Sequence, residues 1–258
     1  MYKVTVTTII TIVFLCLTSV AFAQLNNPKT GEPLVITCYR GTPTIDGTLS
    51  EWAGAVPAIV DVSEQVFLGA DTWTGAADCS GKFYAMWDNN NIYIAVEAAE
   101  DKVVTAQTGG NIWMNDCAEI FFALDAPDPA HNHYQFGLTP NGLKWNWCNM
   151  QGAGNAEPAY VTMAAKTTAT GYTMEASFPI AQLAPLSIGA GKKIGFHPVL
   201  DDTDGDGSAR DLQITWTGRE AHDQTGGFGT MIFSELTPTS VSPAGKTSAV
   251  WGEIKRMY

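Results

Sequence analysis

Basic side chains are scarce in this sequence: 14 lysines and arginines stand against 26 aspartates and glutamates, a net charge of −12. A surface of that sign repels phosphate, which excludes nucleic acids and anionic membrane surfaces as partners. Histidine and cysteine are sparse too, at 4 and 5 residues. No Cys-x-x-Cys pair occurs, which removes the usual thiolate zinc site. His131 and His133 form a His-x-His pair beside Asp128, but no third ligand stands at a telling spacing. Neither a nucleophile elbow nor a Ser-His-Asp pattern is present. Carboxylates recur at Glu97, Glu100 and Asp101 and from Asp201 to Asp206, yet glycoside hydrolysis needs two of them facing each other across a cleft, and an acidic chain offers many accidental pairs. The sequence therefore reads as non-catalytic.

Long apolar runs are confined to the N-terminus. Met1-Tyr2-Lys3 precedes an uncharged stretch from Val4 to Val20 and then Ala21-Phe22-Ala23, the layout of a signal peptide with a small-x-small processing site. Cleavage near Ala23 would start the mature chain at Gln24 and leave no membrane span. The expected location is secreted or at the cell surface, in a bacterial periplasm or outside the cell. Four cysteines survive such cleavage: Cys38, Cys79, Cys117 and Cys148. Export permits two disulfides, in any of three pairings, and four buried thiols are the alternative.

Helical periodicity is nearly absent as well, limited to a short turn at 180–183 and to 250–257. What fills the chain from Pro33 to Glu235 is short apolar segments rich in β-branched and aromatic residues, parted by Gly, Asn, Asp and Pro. Residues 82–87 run into Asp88-Asn89-Asn90-Asn91 and then 92–96, which predicts a hairpin. Further strands are expected at 133–139, 143–148, 159–166, 172–178, 193–200, 212–216 and 230–234. Some ten strands with regular turns imply an all-β, two-sheet antiparallel sandwich of the immunoglobulin-like or jelly-roll type. The layout is then a leader (1–23), a lead-in (24–35), one sandwich (36–236), a Pro/Ser/Thr/Gly-rich linker (237–249) and a short amphipathic tag (250–258) able to contact a cell-surface or secretion partner.

Several sites follow from the residues themselves. Leu200-Asp201-Asp202-Thr203-Asp204-Gly205-Asp206-Gly207 alternates carboxylates with glycines, so Asp202, Asp204 and Asp206 suit calcium, a hard cation that takes many oxygens. Gln213 stands where an EF-hand needs its bidentate Glu, which rules out that motif proper. Trp113 follows a glycine-rich loop where exposure is expected, and Trp73 sits in the 69–75 loop. Trp145 and Trp147 share a strand face and read as core.

Taken in order, Thr44-Ile45-Asp46-Gly47-Thr48-Leu49-Ser50-Glu51-Trp52, 83–96, 112–122, 171–179, 193–202 and Gly227-Phe228-Gly229-Thr230-Met231 resemble the family 9 carbohydrate-binding modules and the wider DOMON-like group. The resemblance implies a calcium-containing β-sandwich that binds xylan- or cellulose-type polysaccharide or oligosaccharide and serves carbohydrate catabolism beside glycoside hydrolases. It places the first sugar-stacking tryptophan at Trp113 and a hydroxyl-binding carboxylate at Glu119, with Asn115 beside them. His222 stands where the second tryptophan belongs, and Gly137 and Thr139 where Arg and Asn are expected. It also suggests a second calcium position at Asp46, the Gly47 carbonyl and Asp101. Two other roles are open to such a sandwich. One is haem b binding for electron transfer, using Met86, Met114, Met174 or His197. The other is a structural or adhesive cell-surface role through the tag.

Overall fold

The computed structural model describes residues 25–124, 133–152, 154–222 and 227–238. The leader, most of the linker, the tag, and Asp128 and His131 lie outside the described residues. Thirteen strands are present among the residues described: β1 (Val35–Arg40), β2 (Ala58–Val60), β3 (Val66–Leu68), β4 (Cys79–Trp87), β5 (Asn91–Glu100), β6 (Cys117–Ala123), β7 (His133–Leu138), β8 (Lys144–Cys148), β9 (Thr162–Thr168), β10 (Gly171–Pro179), β11 (Lys193–Asp202), β12 (Leu212–Thr215) and β13 (Gly229–Phe233). The expected turn at 180–183 is a 3-10 turn, Ile180–Gln182.

One leaf runs β8-β7-β6-β11-β13-β1 and the other β1-β4-β5-β10-β9, so β1 belongs to both. Val35–Cys38 pair with β13 and Tyr39–Arg40 with β4, both in parallel. The two leaves are thus one curled sheet folded on itself. That refines the expectation of two separate antiparallel sheets: elsewhere the pairing is antiparallel, and the parallel seam lets a single strand cross from leaf to leaf.

Period-2 alternation explains the core. Ala118, Ile120 and Phe122 of β6 and Tyr134, Phe136 and Leu138 of β7 face inward from one leaf; Ile92, Ile94, Val96 and Ala98 of β5 and Tyr172, Met174, Ala176 and Phe178 of β10 face them. Rings interlock across the gap, with Phe178 at 5.4 Å from Phe122 and 5.0 Å from Phe136. The β4–β5 hairpin turns at Asp88, whose Oδ1 accepts from the N–H groups of Asn90 and Asn91. Aspartate there closes the turn through its own side chain.

β6, β7 and β11 are buried on their outer faces as well. A cover made by the 3-10 turn Gly109–Met114, by Trp145 and Trp147, and by the loop after β12 accounts for this. The two tryptophans are therefore not in the core between the leaves, as their spacing suggested. The β7–β8 ladder shifts register between Gln135 and Phe136, and a Cβ on Gly137 would lie 2.4 Å from the Trp147 ring. Glycine at that position, where the resemblance led us to expect Arg, is what makes room for Trp147. Trp147 Nε1 then donates to the Gly110 carbonyl at 2.8 Å, tying strand to cover. Thr139, at the other departure, closes the β7–β8 turn by accepting from Leu143 N–H at 3.0 Å.

Among the described residues the four cysteines are free thiols, Cys38, Cys79 and Cys117 buried and Cys148 partly so. None of the three disulfide pairings forms.

Candidate functional site

Polar residues crowd the outer face of the covered leaf. Register sets Glu119 of β6 opposite Val199, and Cys117 opposite Asp201, while Asp201 of β11 pairs with Gln213 of β12. These residues share one face with Gln135 of β7. Arg210, from the loop joining β11 to β12, reaches over them: Nη1 lies 2.7 Å from Asp201 Oδ1 and 3.7 Å from Glu119 Oε1. Gln213 Nε2 donates to Asp201 Oδ1 at 2.8 Å, and Gln135 Nε2 to Glu119 Oε2 at 2.8 Å. The Arg210 guanidinium carbon sits 5.4 Å from the centre of the half-buried Trp113 ring, a cation–π contact.

The electrostatics of this layer are unbalanced. Glu119 and Asp201 are 3% and 0% exposed, and one guanidinium serves both. Burial, and then the charge of Asp201 beside it, pushes the Glu119 carboxyl well above the usual carboxylate range. Burial works against the Arg210 cation, but Asp201 and Glu119 outweigh it and hold its pKa up. Arg210 Nε, Gln213 Oε1 and Asp201 Oδ2 are buried without a partner. One donor and two acceptors next to a tryptophan face are what a sugar hydroxyl, both donor and acceptor, can satisfy. The two carboxyls share one Arg210 nitrogen beneath the cover instead of flanking an open cleft, as glycoside hydrolysis needs.

The other expected sugar contacts are placed elsewhere. Asn115 is fully buried and has both ends engaged: Oδ1 accepts from Gln107 N–H and Nδ2 donates to the Gln107 carbonyl. It clasps a loop. Trp73 packs on the core and donates to the Cys79 carbonyl at 2.9 Å. The His222 side chain is 61% exposed, with Nε2 3.4 Å from Glu220, and as placed it faces solvent instead of forming a second wall.

A second polar cluster gathers at the ends of β4, β5 and β11. Cys79, Glu100 and Asp202 form a buried group whose ligand atoms lie within 4.8 Å of one another, and Asp78, Asp101 and Asp204 form a more exposed one under the same limit. Asp116 adjoins the buried group; its charge is among those raising both Glu100 and Asp202. Burial comes first in each case; repulsion follows at Glu100 and Asp202, while at Asp116 the Val104 and Thr203 N–H groups pull back before neighbouring charges add: Glu100 is pushed up to about 10, Asp202 to about 8 and Asp116 to about 7. Asp202 Oδ1 is buried with no partner. A hard dication fits such a donor set, since it would neutralise carboxylates that otherwise hold protons.

Of the expected calcium ligands, the cluster brings together Asp202, Asp204 and Asp101. Asp206 is exposed and caps its own turn by accepting from Ser208 N–H. Asp46 joins no such group: it accepts from Thr48 N–H and lies 4.0 Å from Lys166 Nζ, while the Gly47 carbonyl accepts from Thr173. The second position is not formed, because the Asp46 turn is stitched to β10 through Glu175 and Thr173, whereas Asp101 goes with Asp78 and Asp204. The haem ligands are scattered too. Met174 is in the core, Met86 packs with Trp52 on the outside of the other leaf, and His197 stacks on Phe228. Burial lowers the His197 pKa to about 3.

The sequence did not reveal the grouping of Asp201, Arg210 and Gln213 around Glu119, nor that of Asp78, Glu100 and Asp116 around Asp202 and Asp204. Strand alternation through His197, Val199 and Asp201 was the available signal for the first set, since it places Asp201 on the Glu119 face.

The sequence profile of the carbohydrate family 9 binding domain-like proteins matches residues 45–236. No curated protein matches the chain. A family 9 carbohydrate-binding module from Caldicellulosiruptor kristjanssonii in complex with cellotriose superposes with a TM-score of 0.61 at 19% identity, over 82% of this chain and 99% of that one. The same organism's module in complex with glucose gives 0.58 at 18%, over 81% and 100%. A putative carbohydrate-binding protein from Bacteroides uniformis gives 0.55 at 15%, over 78% and 99%.

Proposed function

The chain belongs to the carbohydrate family 9 binding domain-like family, and from that premise we propose that it is a non-catalytic module that binds β-linked glucan or xylan oligosaccharides on the outer face of the β6–β7–β11 leaf. Trp113 is the stacking wall, on which the C–H face of a pyranose packs. Asp201 Oδ2, Gln213 Oε1 and Arg210 Nε take the ring hydroxyls, with Glu119 and Gln135 behind them. The observation that carries this reading is the set of buried, unpartnered polar atoms beside the half-buried Trp113 ring. Solved relatives of the same fold hold cellotriose and glucose.

Asp202, Glu100 and Asp116, with Asp78, Asp101 and Asp204, would hold calcium; the bound ion would supply the positive charge that the buried carboxylates lack. The leader sequence supports export, so the module would act outside the cytoplasm on polysaccharide supplied by its surroundings.

Titration calorimetry of the mature chain in calcium tests the reading, with glucose, cellotriose and xylotriose as ligands and Trp113→Ala alongside. Saturable heat with one sugar, lost in the variant, is expected. Equal heats for the two proteins, or none with any sugar, would sink it.

A further inference from the structure

The sugar wall and the acidic cluster share two loops. Residues 101–116 carry Trp113 and residues 203–211 carry Arg210, and the loops are stapled together at two points. Asp116 is the first: Oδ2 accepts from Val104 N–H, while Oδ1 accepts from Thr203 N–H at 3.1 Å. Gln107 is the second: Nε2 donates to the Gly207 carbonyl at 2.8 Å, and its own backbone is clasped by Asn115 at 2.7 and 2.9 Å. The loops touch closely there, since Gly207 has φ +75° and a Cβ on it would lie 2.7 Å from the Ala106 methyl. The Trp113 turn hangs between these two staples.

We propose that Asp116 and Gln107 are positioning residues of the Trp113–Arg210 platform, through which a divalent cation in the adjoining carboxylate cluster sets the geometry of the sugar site. The inference rests on the reading of Trp113 as sugar wall. Its second support is Asp202 Oδ1, buried and unpartnered within the cluster. Glu100, Asp116 and Asp202 come from three separate segments. A cation bridging the three carboxyls draws those segments together and favours the closed arrangement in which both staples are formed; without that bridge the segments part more readily, and the move carries Trp113 away from Arg210. A sugar that needs Trp113 and Arg210 together then binds more tightly in the cation's presence, and by linkage it tightens cation binding by the same factor.

Three readouts on the mature protein test this: terbium luminescence for the cation site, calorimetry with cellotriose in calcium and in chelator, and tryptophan emission in the wild type minus that in Trp113→Phe. The expected result is that calcium tightens cellotriose binding about tenfold or more, within the usual range of such coupling, and shifts the Trp113 emission. Gln107→Met, which keeps the bulk and loses the donor, should abolish both responses while binding terbium like the wild type, and Gln107→Lys, which restores a donor, should recover them. Cellotriose affinity equal within about twofold in calcium and chelator, with Trp113 emission unmoved, would overturn the proposal and leave the sugar reading standing. Absence of terbium binding would overturn it as well. If no sugar binds but calcium shifts the Trp113 emission and Gln107→Met cancels that shift, the positioning role holds and the sugar reading fails.

Discussion

The outer faces of the two leaves are built from similar residue types and behave oppositely. On the β4–β5–β10–β9 leaf, Lys82 and Glu97 pair at 3.2 Å with both side chains nearly half exposed, and Lys166 approaches Asp46 at 4.0 Å across a groove of about 680 Å³. Water reaches both of these pairs, and the buried Glu175 of the same face is satisfied by Trp52 Nε1 and by the Asp46 and Gly47 N–H groups. On the β6–β7–β11 leaf, Glu119, Asp201, Gln135 and Gln213 are covered, short of partners and served by one arginine. The first arrangement costs the fold little and gains it little. The second is tolerated against a real desolvation penalty, which is what the proposed ligand surface requires. A charge therefore points to function by how it is buried and partnered, more than by its presence.

The contrast can be broken most forcefully at Arg210. Arg210→Met leaves two buried carboxyls without their cation and should cost about 3–5 kcal/mol, seen as a thermal midpoint lower by roughly 10 °C. A shift under about 2 °C would mean the layer is solvated after all. Next comes the cation cluster. The folded-state pKa values of Glu100, Asp116 and Asp202 are raised, so without cation the folded chain holds protons that the unfolded chain has released. Stability is then greatest below about pH 4 and lost as pH rises through about 7, 8 and 10. In chelator the melting temperature should fall by roughly 5–10 °C between pH 5 and pH 9, and calcium should flatten that slope; a profile indifferent to calcium would contradict the assignment.

Trp113→Ala should weaken cellotriose binding by about 2 kcal/mol, some 30-fold, while moving the melting temperature by only a few degrees. The smallest effect is expected on the solvated leaf. Lys82→Ala or Glu97→Ala should change stability by less than about 1 kcal/mol and leave sugar binding alone; a large loss of affinity there would move the site to the other face.

Most of the fold was legible because strands announce themselves by alternation and by their turns. The β4–β5 hairpin, β7 to β13 and the 180–182 turn fall where 82–96, 133–148, 172–183 and the later segments placed them. Trp113 and Glu119 were legible as a pair through family resemblance, and the structure joins them by way of Arg210. Arg210 itself was hidden: it lies in an acidic stretch that reads as a cation loop, and only the β11–β12 pairing of Asp201 with Gln213 brings that loop back over the sheet. Trp145 and Trp147 misled because i, i+2 spacing shows only that they share a face; which face turns outward is decided by the pairing of Trp145 with Gly137. Asp78, Glu100 and Asp116 come from distant segments, and no local spacing announces that they meet Asp202.

The central claim, that sugar sits over Trp113 on the covered leaf, is tested most directly by a nitrogen-15 NMR titration of the calcium-loaded mature chain with cellotriose. The prediction is that the Trp113 indole signal and the side-chain amides of Gln135 and Gln213 shift together and saturate, while the backbone amides of Lys82, Lys166 and Thr173 stay still. Shifts confined to that second set, or absent from both, would contradict it.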